Sequence, residues 1–343
     1  MLYQARAEAA GDYPPLQRGE PPLHRCHAPG LACLAQPWLL SWPPRPDAIL
    51  SGMTALSVGL VLLSAVAHST WNLWLKRSFD KEVFVWWLMV VASILMLPVG
   101  VVLFWFNSFC NPGWWFVLAT IVLHILYFVL LGRGYTRGDL SLVYPIARGV
   151  GPMLVPVLAV VFLSESIAAP AIAGIIAIVG GIYTVSWWGN FRRLLRHPLD
   201  MLKNADTRYA ILTGLTIACY TIVDKKGVSH VQPFLYMYLM TLGSGLGLTP
   251  YILRQRGTGA IRREWRANSL LIVLGALLIF LAYGMVLTAF SLSRVSYVAP
   301  TREVGIVIGV LFGVFLLKEP FGRGRLLGSG LIILGAVLIA VSP

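Results

Sequence analysis

The stretch Ser141–Gly151, SLVYPIARGVG, returns later in the chain as Ser296–Gly305, SYVAPTREVG. A shift of 154 residues superposes Arg148 on Arg302. The same ungapped frame pairs Gly151 with Gly305, Glu165 with Glu319, Gly174 with Gly328 and Gly181 with Gly335, and one residue of slack pairs Pro145 with Pro300. Arginine and glutamate are scarce in this chain, so these matches indicate two homologous halves.

The composition around these stretches is typical of a protein whose solvent is lipid. Of the 343 residues, 57% are hydrophobic and only 12% are charged, and the mean hydropathy is +0.76. Polar groups are therefore too few to cover a water-exposed surface. The net charge of +13 does not predict a nucleic-acid partner, because almost all Lys and Arg lie between the apolar runs, where positive residues determine topology.

Ten apolar runs approach the length of about 20 residues that is needed to cross a bilayer. They lie near residues 54–75, 82–105, 113–134, 140–163, 168–188, 208–224, 233–253, 269–293, 296–317 and 325–342. Each must be helical, because lipid cannot hydrogen-bond open backbone groups. We therefore predict an all-α integral membrane protein with ten transmembrane helices, arranged as two inverted five-helix repeats.

These runs divide the chain into four segments. Residues 1–52 are rich in proline and are expected to form a disordered tail, with Met53 as the true start of the protein. The first repeat is predicted at 53–188, a basic connecting loop at 189–207 and the second repeat at 208–343. Because each repeat has an odd number of spans, the second enters the membrane from the opposite side, which is typical of transporters.

Charges in the connections predict the orientation. The connections after odd-numbered spans hold 18 Lys and Arg residues, whereas the other connections hold 3 outside the tail. By the positive-inside rule, the odd-numbered connections are cytoplasmic and both termini lie outside. We expect a multi-pass protein of the plasma (inner) membrane.

Ionisable residues inside apolar spans are costly and are therefore candidate site residues. Arg148 and Arg302 lie deep in spans four and nine, and we predict that they bind an anionic group of a solute. The alternative is that protein carboxylates neutralise them and that they only lock helices together. Glu303 is expected to pair with Arg148 across a cavity, because adjacent helix residues do not face each other. Pro145 and Pro300 are predicted helix kinks.

Further polar residues are candidates for the same substrate site. His68 and Asn72 share one helix face, and His68 also offers a group that titrates near neutral pH. The alternative is that these polar residues stabilise helix packing. His124 and Tyr127 on span three, together with Tyr283 on span eight, are expected to line the same cavity.

Other residues have a structural interpretation. Asp224, at the end of the sixth span, is either a further candidate or a solvated helix end beside Lys225 and Lys226. Glu165 and Glu319 are expected to form structural turns into the next helix. Close helix packing is expected at six glycines, Gly174, Gly180, Gly181, Gly328, Gly330 and Gly335.

Together these features resemble the EamA-type ten-span members of the drug/metabolite transporter superfamily, over residues 53–343. The resemblance is carried by the two-times-five layout, the Lys76-Arg77 end of span one, the SLVYP and SYVAP stretches, and the patterns Glu165…Gly174 and Glu319…Gly328. It implies a basket of helices around a central cavity, alternating access, and transport of metabolites such as amino acids, sugars or nucleotide derivatives. No nucleotide-binding motif is present, so ATP-driven pumping is not expected.

We therefore expect a secondary transporter, not an enzyme, that moves a small polar metabolite; the paired arginines favour an anionic or zwitterionic solute. Its expected partners are that solute and membrane lipid, with coupling to a proton or a counter-solute and with neither cofactor nor metal. One alternative is an integral-membrane enzyme, because His68 and Asn72 form an H-x-x-x-N pair, although no catalytic dyad accompanies it. The other is a channel or a structural membrane protein, but single deep charges suit alternating access better than an open pore.

Overall fold

Helices account for every regular element in the described part of the chain, residues 53–107, 112–137, 140–188, 205–318 and 322–343 of a computed structural model. Their bounds are α1 Ala55–Arg77, α2 Lys81–Leu95, α3 Leu97–Phe106, α4 Gly113–Arg137, α5 Leu140–Leu163, α6 Ala169–Trp187, α7 Ala205–Gly227, α8 Pro233–Gln255, α9 Gly257–Leu292, α10 Val295–Thr301, α11 Val304–Leu317 and α12 Arg323–Ala340. The all-α prediction is confirmed for these ranges. The tail at 1–52 and most of the connecting loop lie outside them.

The number of membrane spans is supported only in part. Within the described ranges, seven helical segments are long and apolar enough to cross a bilayer, with α10 and α11 counted together, and α2 with α3 forms an eighth that is bent by 57°. The helices α7 and α8 do not meet that criterion. Their buried faces carry polar side chains, among them Thr213, Thr216, Thr241 and Ser244, which lower the hydropathy of a helix surrounded by protein. The count of ten stays a prediction.

Local breaks shape two of the spans. The bend between α2 and α3 falls at Met96, just before Pro98, which has no backbone N–H to continue the helix. The long helix α9 has non-helical backbone angles at Asn268, immediately before the apolar run predicted at 269–293. The break therefore separates a basic helical segment from the apolar segment.

Glycine contacts between α6 and α12 show how the two halves meet. A Cβ atom built on Gly174 would lie 2.6 Å from the carbonyl oxygen of Gly335, and one built on Gly181 would lie 2.7 Å from that of Gly328. In the sequence frame, Gly174 is equivalent to Gly328 and Gly181 to Gly335, so the two contacts are copies of each other related by the repeat. Such self-complementary pairing is what a two-fold axis produces, and it requires the helix backbones to touch.

The packing prediction is wrong for the two remaining glycines. A Cβ atom on Gly180 or Gly330 would meet no atom within 4 Å. Successive helix residues point about 100° apart, so a glycine beside a contact residue does not itself face the partner helix.

The two repeats are interleaved. Helix α7, which begins the second repeat, packs against α4 and α5 of the first, and α1 packs against α9 of the second. The largest cluster of buried apolar side chains accordingly joins residues of both repeats, such as Trp71, Phe84, Tyr236 and Phe280. All described residues belong to one compact unit, residues 38–343.

Glu165 holds the start of α10, which belongs to the other repeat. Its carboxylate accepts hydrogen bonds from the backbone N–H of Val295 at 2.9 Å, the backbone N–H of Ser296 at 3.0 Å and the Ser296 hydroxyl at 2.6 Å. The α10 N-cap residue, Arg294, makes no side-chain cap, so Glu165 supplies the acceptor that the first turn of a helix needs. Its role is structural, as expected, but its partner is α10 of the second repeat.

We expect Glu165→Ala to lower the free energy of unfolding by about 1–3 kcal/mol, because buried N–H groups lose their acceptor. Glu165→Gln retains an amide oxygen and should lose less. Thermal unfolding of the purified protein in detergent measures both variants. Equal melting temperatures for Glu165→Ala and the unmodified protein would contradict the capping role.

Candidate functional site

The ninth predicted span is interrupted at the two charged residues that the sequence singles out. Helix α10 ends at Thr301 and α11 begins at Val304, so Arg302 and Glu303 lie in the turn between them. Backbone N–H groups there bond three residues back, from Glu303 to Pro300 at 3.0 Å and from Gly305 to Arg302 at 3.0 Å. This tighter winding follows Pro300, whose nitrogen cannot donate. The repeat equivalent, Pro145, lies within α5, which runs unbroken from Leu140 to Leu163.

Two small cavities flank this turn, and Arg148 and Arg302 line both of them. The first is lined by Ser64, Ala65, His68, Arg148, Ala282, Tyr283, Val286 and Arg302. The lining of the second adds Tyr220, Thr221 and Glu303, among others. The structure therefore brings together Arg148, Arg302, Glu303, His68 and Tyr283, which were predicted separately from four different spans.

Arg148 lies between an imidazole and a carboxylate. Its Nη2 atom is 2.8 Å from Nε2 of His68, and its Nη1 atom is 3.6 Å from Oε1 of Glu303. A guanidinium group can only donate, so Nε2 of His68 must be the accepting, unprotonated nitrogen and the ring is neutral. The predicted pairing of Glu303 with Arg148 is present, and Glu303 is almost fully buried in it, with 8% of its side chain exposed.

Arg302 has a different environment. Its guanidinium carbon lies 5.3 Å from the centre of the Tyr283 ring, which is a cation–π contact. Among the described residues, no carboxylate lies within 4 Å of its guanidinium group. A cation at membrane depth is costly without a counter-charge. Within the described part of the chain, Arg302 thus differs from Arg148, which has Glu303 as an ion-pair partner.

Asn72 and Tyr127 are not among the residues that line the two cavities. The side-chain amide of Asn72 donates to the backbone carbonyl of His68 at 2.8 Å, within its own helix. The Tyr127 ring packs edge-on against Phe128 and against Tyr220. Tyr127 therefore does not line the second cavity itself but contacts Tyr220, which does.

Asp224 is a residue for which the sequence left two interpretations open. It is fully buried, so the interpretation as a solvated helix end is wrong. Its Oδ1 atom accepts hydrogen bonds from the Thr120 hydroxyl at 2.6 Å and from the Tyr236 hydroxyl at 2.9 Å. The Tyr283 hydroxyl donates to Oδ2, so Tyr283 contacts both Asp224 and Arg302.

A signal for this burial was present in α7. Four residues at helical spacing, Thr213, Thr216, Tyr220 and Asp224, form a polar stripe, and all four are buried. A stripe of that kind on an otherwise apolar helix indicates a face toward protein or a cavity. The adjacent Lys225 and Lys226 also fit a solvated helix end, so the sequence did not decide between the two interpretations. Lys225 donates to the backbone carbonyls of Phe290 and Ser293 at the end of α9, where a cation is favourable.

His124 extends the same network. Its Nδ1 atom lies 2.9 Å from the Thr120 carbonyl oxygen and 3.0 Å from the Thr120 hydroxyl oxygen. The carbonyl can only accept, so Nδ1 carries a proton. The ring is buried against Tyr220, with ring centres 4.3 Å apart, and against Tyr283 at 5.7 Å.

Comparison with known families gives the identification. The model of the EamA-like transporter family matches residues 55–187 and again residues 208–341. The chain belongs to the EamA-like transporter family. It is therefore a multi-pass membrane transporter of the drug/metabolite type, and its two family segments are the two repeats seen in the glycine contacts.

Other comparisons of this EamA-like transporter concern the fold. It matches a solved structure described as "Crystal structure of protein" with a TM-score of 0.64 and 11% identity, over 82% of this chain and 98% of the other. At that identity the likeness shows the fold alone. No curated protein sequence matches the chain.

Proposed function

We propose that this EamA-like transporter is a secondary carrier of the plasma (inner) membrane that moves a small anionic or zwitterionic metabolite by alternating access. The observation that carries the proposal is Arg302, which lines both cavities and has no carboxylate within 4 Å among the described residues. A carboxylate or phosphonate group of the solute would supply the missing counter-charge through paired hydrogen bonds.

The arrangement of charges also suits a zwitterion. Glu303 faces the second cavity beside Arg302, so an ammonium group of the solute has a carboxylate available while its own carboxylate contacts Arg302. His68 takes part indirectly, because it accepts from Arg148 and thereby orients that guanidinium group.

Alternating access is supported by the symmetry of the repeats. The paired contacts Gly174 with Gly335 and Gly181 with Gly328 relate the two halves as equivalent units. Two equivalent halves have two equivalent relative positions, which expose one central site first to one side and then to the other. Arg148 and Arg302 occupy equivalent positions in the two halves, so each side of the site contains one guanidinium group.

The test is counterflow in liposomes with four labelled probes: L-lactate, L-malate, L-alanine and D-glucose. We expect saturable exchange of at least one charged probe and none of glucose. Arg302→Ala should reduce that exchange about 10- to 100-fold at low solute concentration, because a charge-assisted contact contributes about 1.5–3 kcal/mol. Arg302→Lys should retain part of it, since the charge remains and the paired geometry is lost.

Lys226→Ala is the matched control, because it removes one positive charge from an exposed side chain at the end of α7. It should exchange the probes at the unmodified rate. Undiminished exchange by Arg302→Ala, or exchange of none of the charged probes, would show the proposal to be wrong.

A further inference from the structure

Asp224 is a buried carboxylate that the proposed solute contacts do not use. It lies on α7 with no exposed surface and is held by hydroxyl groups from three other helices, Thr120 of α4, Tyr236 of α8 and Tyr283 of α9. Among the described residues, no Lys or Arg lies within 4 Å of it. Because the direct partners of this membrane-embedded carboxylate are all neutral, it can bind or release a proton without an ion pair being broken.

The hydrogen-bond partners of Asp224 satisfy it in both protonation states. When Asp224 is ionised, Tyr236 donates to its Oδ1 atom at 2.9 Å. The same Tyr236 hydroxyl lies 3.1 Å from the backbone carbonyl oxygen of Phe116, which is a second acceptor. If a proton binds Oδ1, the new O–H donates to the Tyr236 oxygen and Tyr236 turns its own proton to Phe116. No buried donor or acceptor is left without a partner by this exchange.

Tyr283 connects this carboxylate to the solute cavity. Its hydroxyl donates to Asp224, and its ring lies under the guanidinium group of Arg302 and lines the first cavity. An anion bound at Arg302 would therefore lie one side chain away from the negative charge of Asp224. Like charges repel strongly in a site of low dielectric constant, and a proton on Asp224 removes that repulsion.

We propose that Asp224 is a proton-binding site of this carrier, and that an anionic solute and one proton bind together. This inference rests on the proposed function. The proton comes from water and forms an O–H bond on Asp224, and no other covalent bond changes. The titratable groups that face Asp224 from its own helix and from the helices packed around it are His124, Tyr220, Tyr236 and Tyr283. Further charged or titratable groups on its own helix or on neighbouring segments are Tyr127, Arg148, Lys225, Arg302 and Glu303.

Neither histidine is arranged to carry this proton. Nε2 of His68 accepts from Arg148, so a proton there would face the guanidinium group directly. Nδ1 of His124 already donates to the Thr120 carbonyl, so a further proton would bind Nε2 and create a buried cation in the field of Arg302. The sequence had pointed to His68 as the titrating group, and the geometry points to Asp224 instead.

Isothermal titration of the purified protein with L-lactate and with L-malate tests the inference. Titrations in two buffers of different ionisation enthalpy give the affinity and the number of protons taken up in the same experiment. We expect proton uptake on binding of the anion and, by linkage, an affinity for the anion that falls as the pH rises. Asp224→Asn, which imitates the protonated form, should bind the anion with no proton uptake and no pH dependence.

The outcomes separate this inference from the proposed function. Failure of lactate and malate to bind, with no exchange of any charged probe in liposomes, would overturn both. Binding without proton uptake by the unmodified protein, or unchanged uptake by Asp224→Asn, would overturn the inference alone. If Asp224→Asn does not fold, Tyr236→Phe replaces it; loss of the Tyr236 hydroxyl removes the acceptor for the new O–H and should reduce proton uptake at the same pH, and unchanged uptake would count against Asp224.

Discussion

Replacement of Gly174 by leucine is expected to prevent α6 and α12 from packing, and so to abolish the folded bundle. The Cβ atom alone would lie 2.6 Å from the carbonyl oxygen of Gly335. That oxygen belongs to a helix backbone, so it cannot move aside as the end of a flexible side chain would. We expect the free energy of unfolding to fall by about 3 kcal/mol or more, at the upper end of the usual cost of overpacking, because the clash is with helix backbone. Loss of a single symmetric peak in size-exclusion chromatography would report it.

Gly180→Leu is the matched control for this prediction. Gly180 lies on the same helix, and a Cβ atom there would meet no atom within 4 Å. It should therefore elute and melt like the unmodified protein. A folded, transport-competent Gly174→Leu variant would contradict the close contact of the two repeats.

Replacement of Arg148 by methionine is expected to destabilise the protein by about 3–5 kcal/mol and to abolish transport. The variant leaves Glu303 buried, with 8% of its side chain exposed, and without the partner that it contacts at 3.6 Å. An unpaired buried carboxylate costs more than the pair contributes. Thermal unfolding in detergent and probe exchange in liposomes measure the two effects separately.

The double variant Arg148→Met, Glu303→Met distinguishes stability from function. An apolar pair of similar volume often restores the stability that breaking a buried ion pair removes. We therefore expect the double variant to recover most of the lost stability while transport stays absent, because Arg148 is part of the site. Recovery of transport together with stability would show that Arg148 serves only to lock helices together.

The ion pair between Arg256 and Glu82 is more exposed than the pair between Arg148 and Glu303, and so shows how exposure changes the cost of losing the arginine. Arg256 lies 3.0 Å from Glu82 near the start of α9, with 31% of its side chain exposed. Its hydrogen bond to Glu82 raises the pKa of Arg256 above its usual value, so the charge persists throughout the accessible pH range. Because water screens such a pair, Arg256→Met should cost much less than Arg148→Met, about 1 kcal/mol or less.

The amino-acid sequence alone determined the repeat, the membrane class and the main charges of the site. The shift of 154 residues identified Gly174 with Gly328 and Gly181 with Gly335, and these are the residues at which the repeats touch. The pairing of Arg148 with Glu303 was also predictable, since adjacent helix residues point in different directions. Such features follow from local periodicity and from the high cost of charges in lipid, both of which are readable in one chain.

Only the tertiary structure decided which helix each polar side chain faces. Asp224 is buried because Thr120, which is 104 residues away, and Tyr283, which is 59 residues away, close around it. Asn72 bonds to its own backbone, and His68 is neutral because Arg148 happens to lie opposite it. A helical pattern gives the direction of a side chain relative to its own axis, but the protonation state and the partners of a buried group depend on the helices packed against it, and those contacts are made between distant parts of the chain.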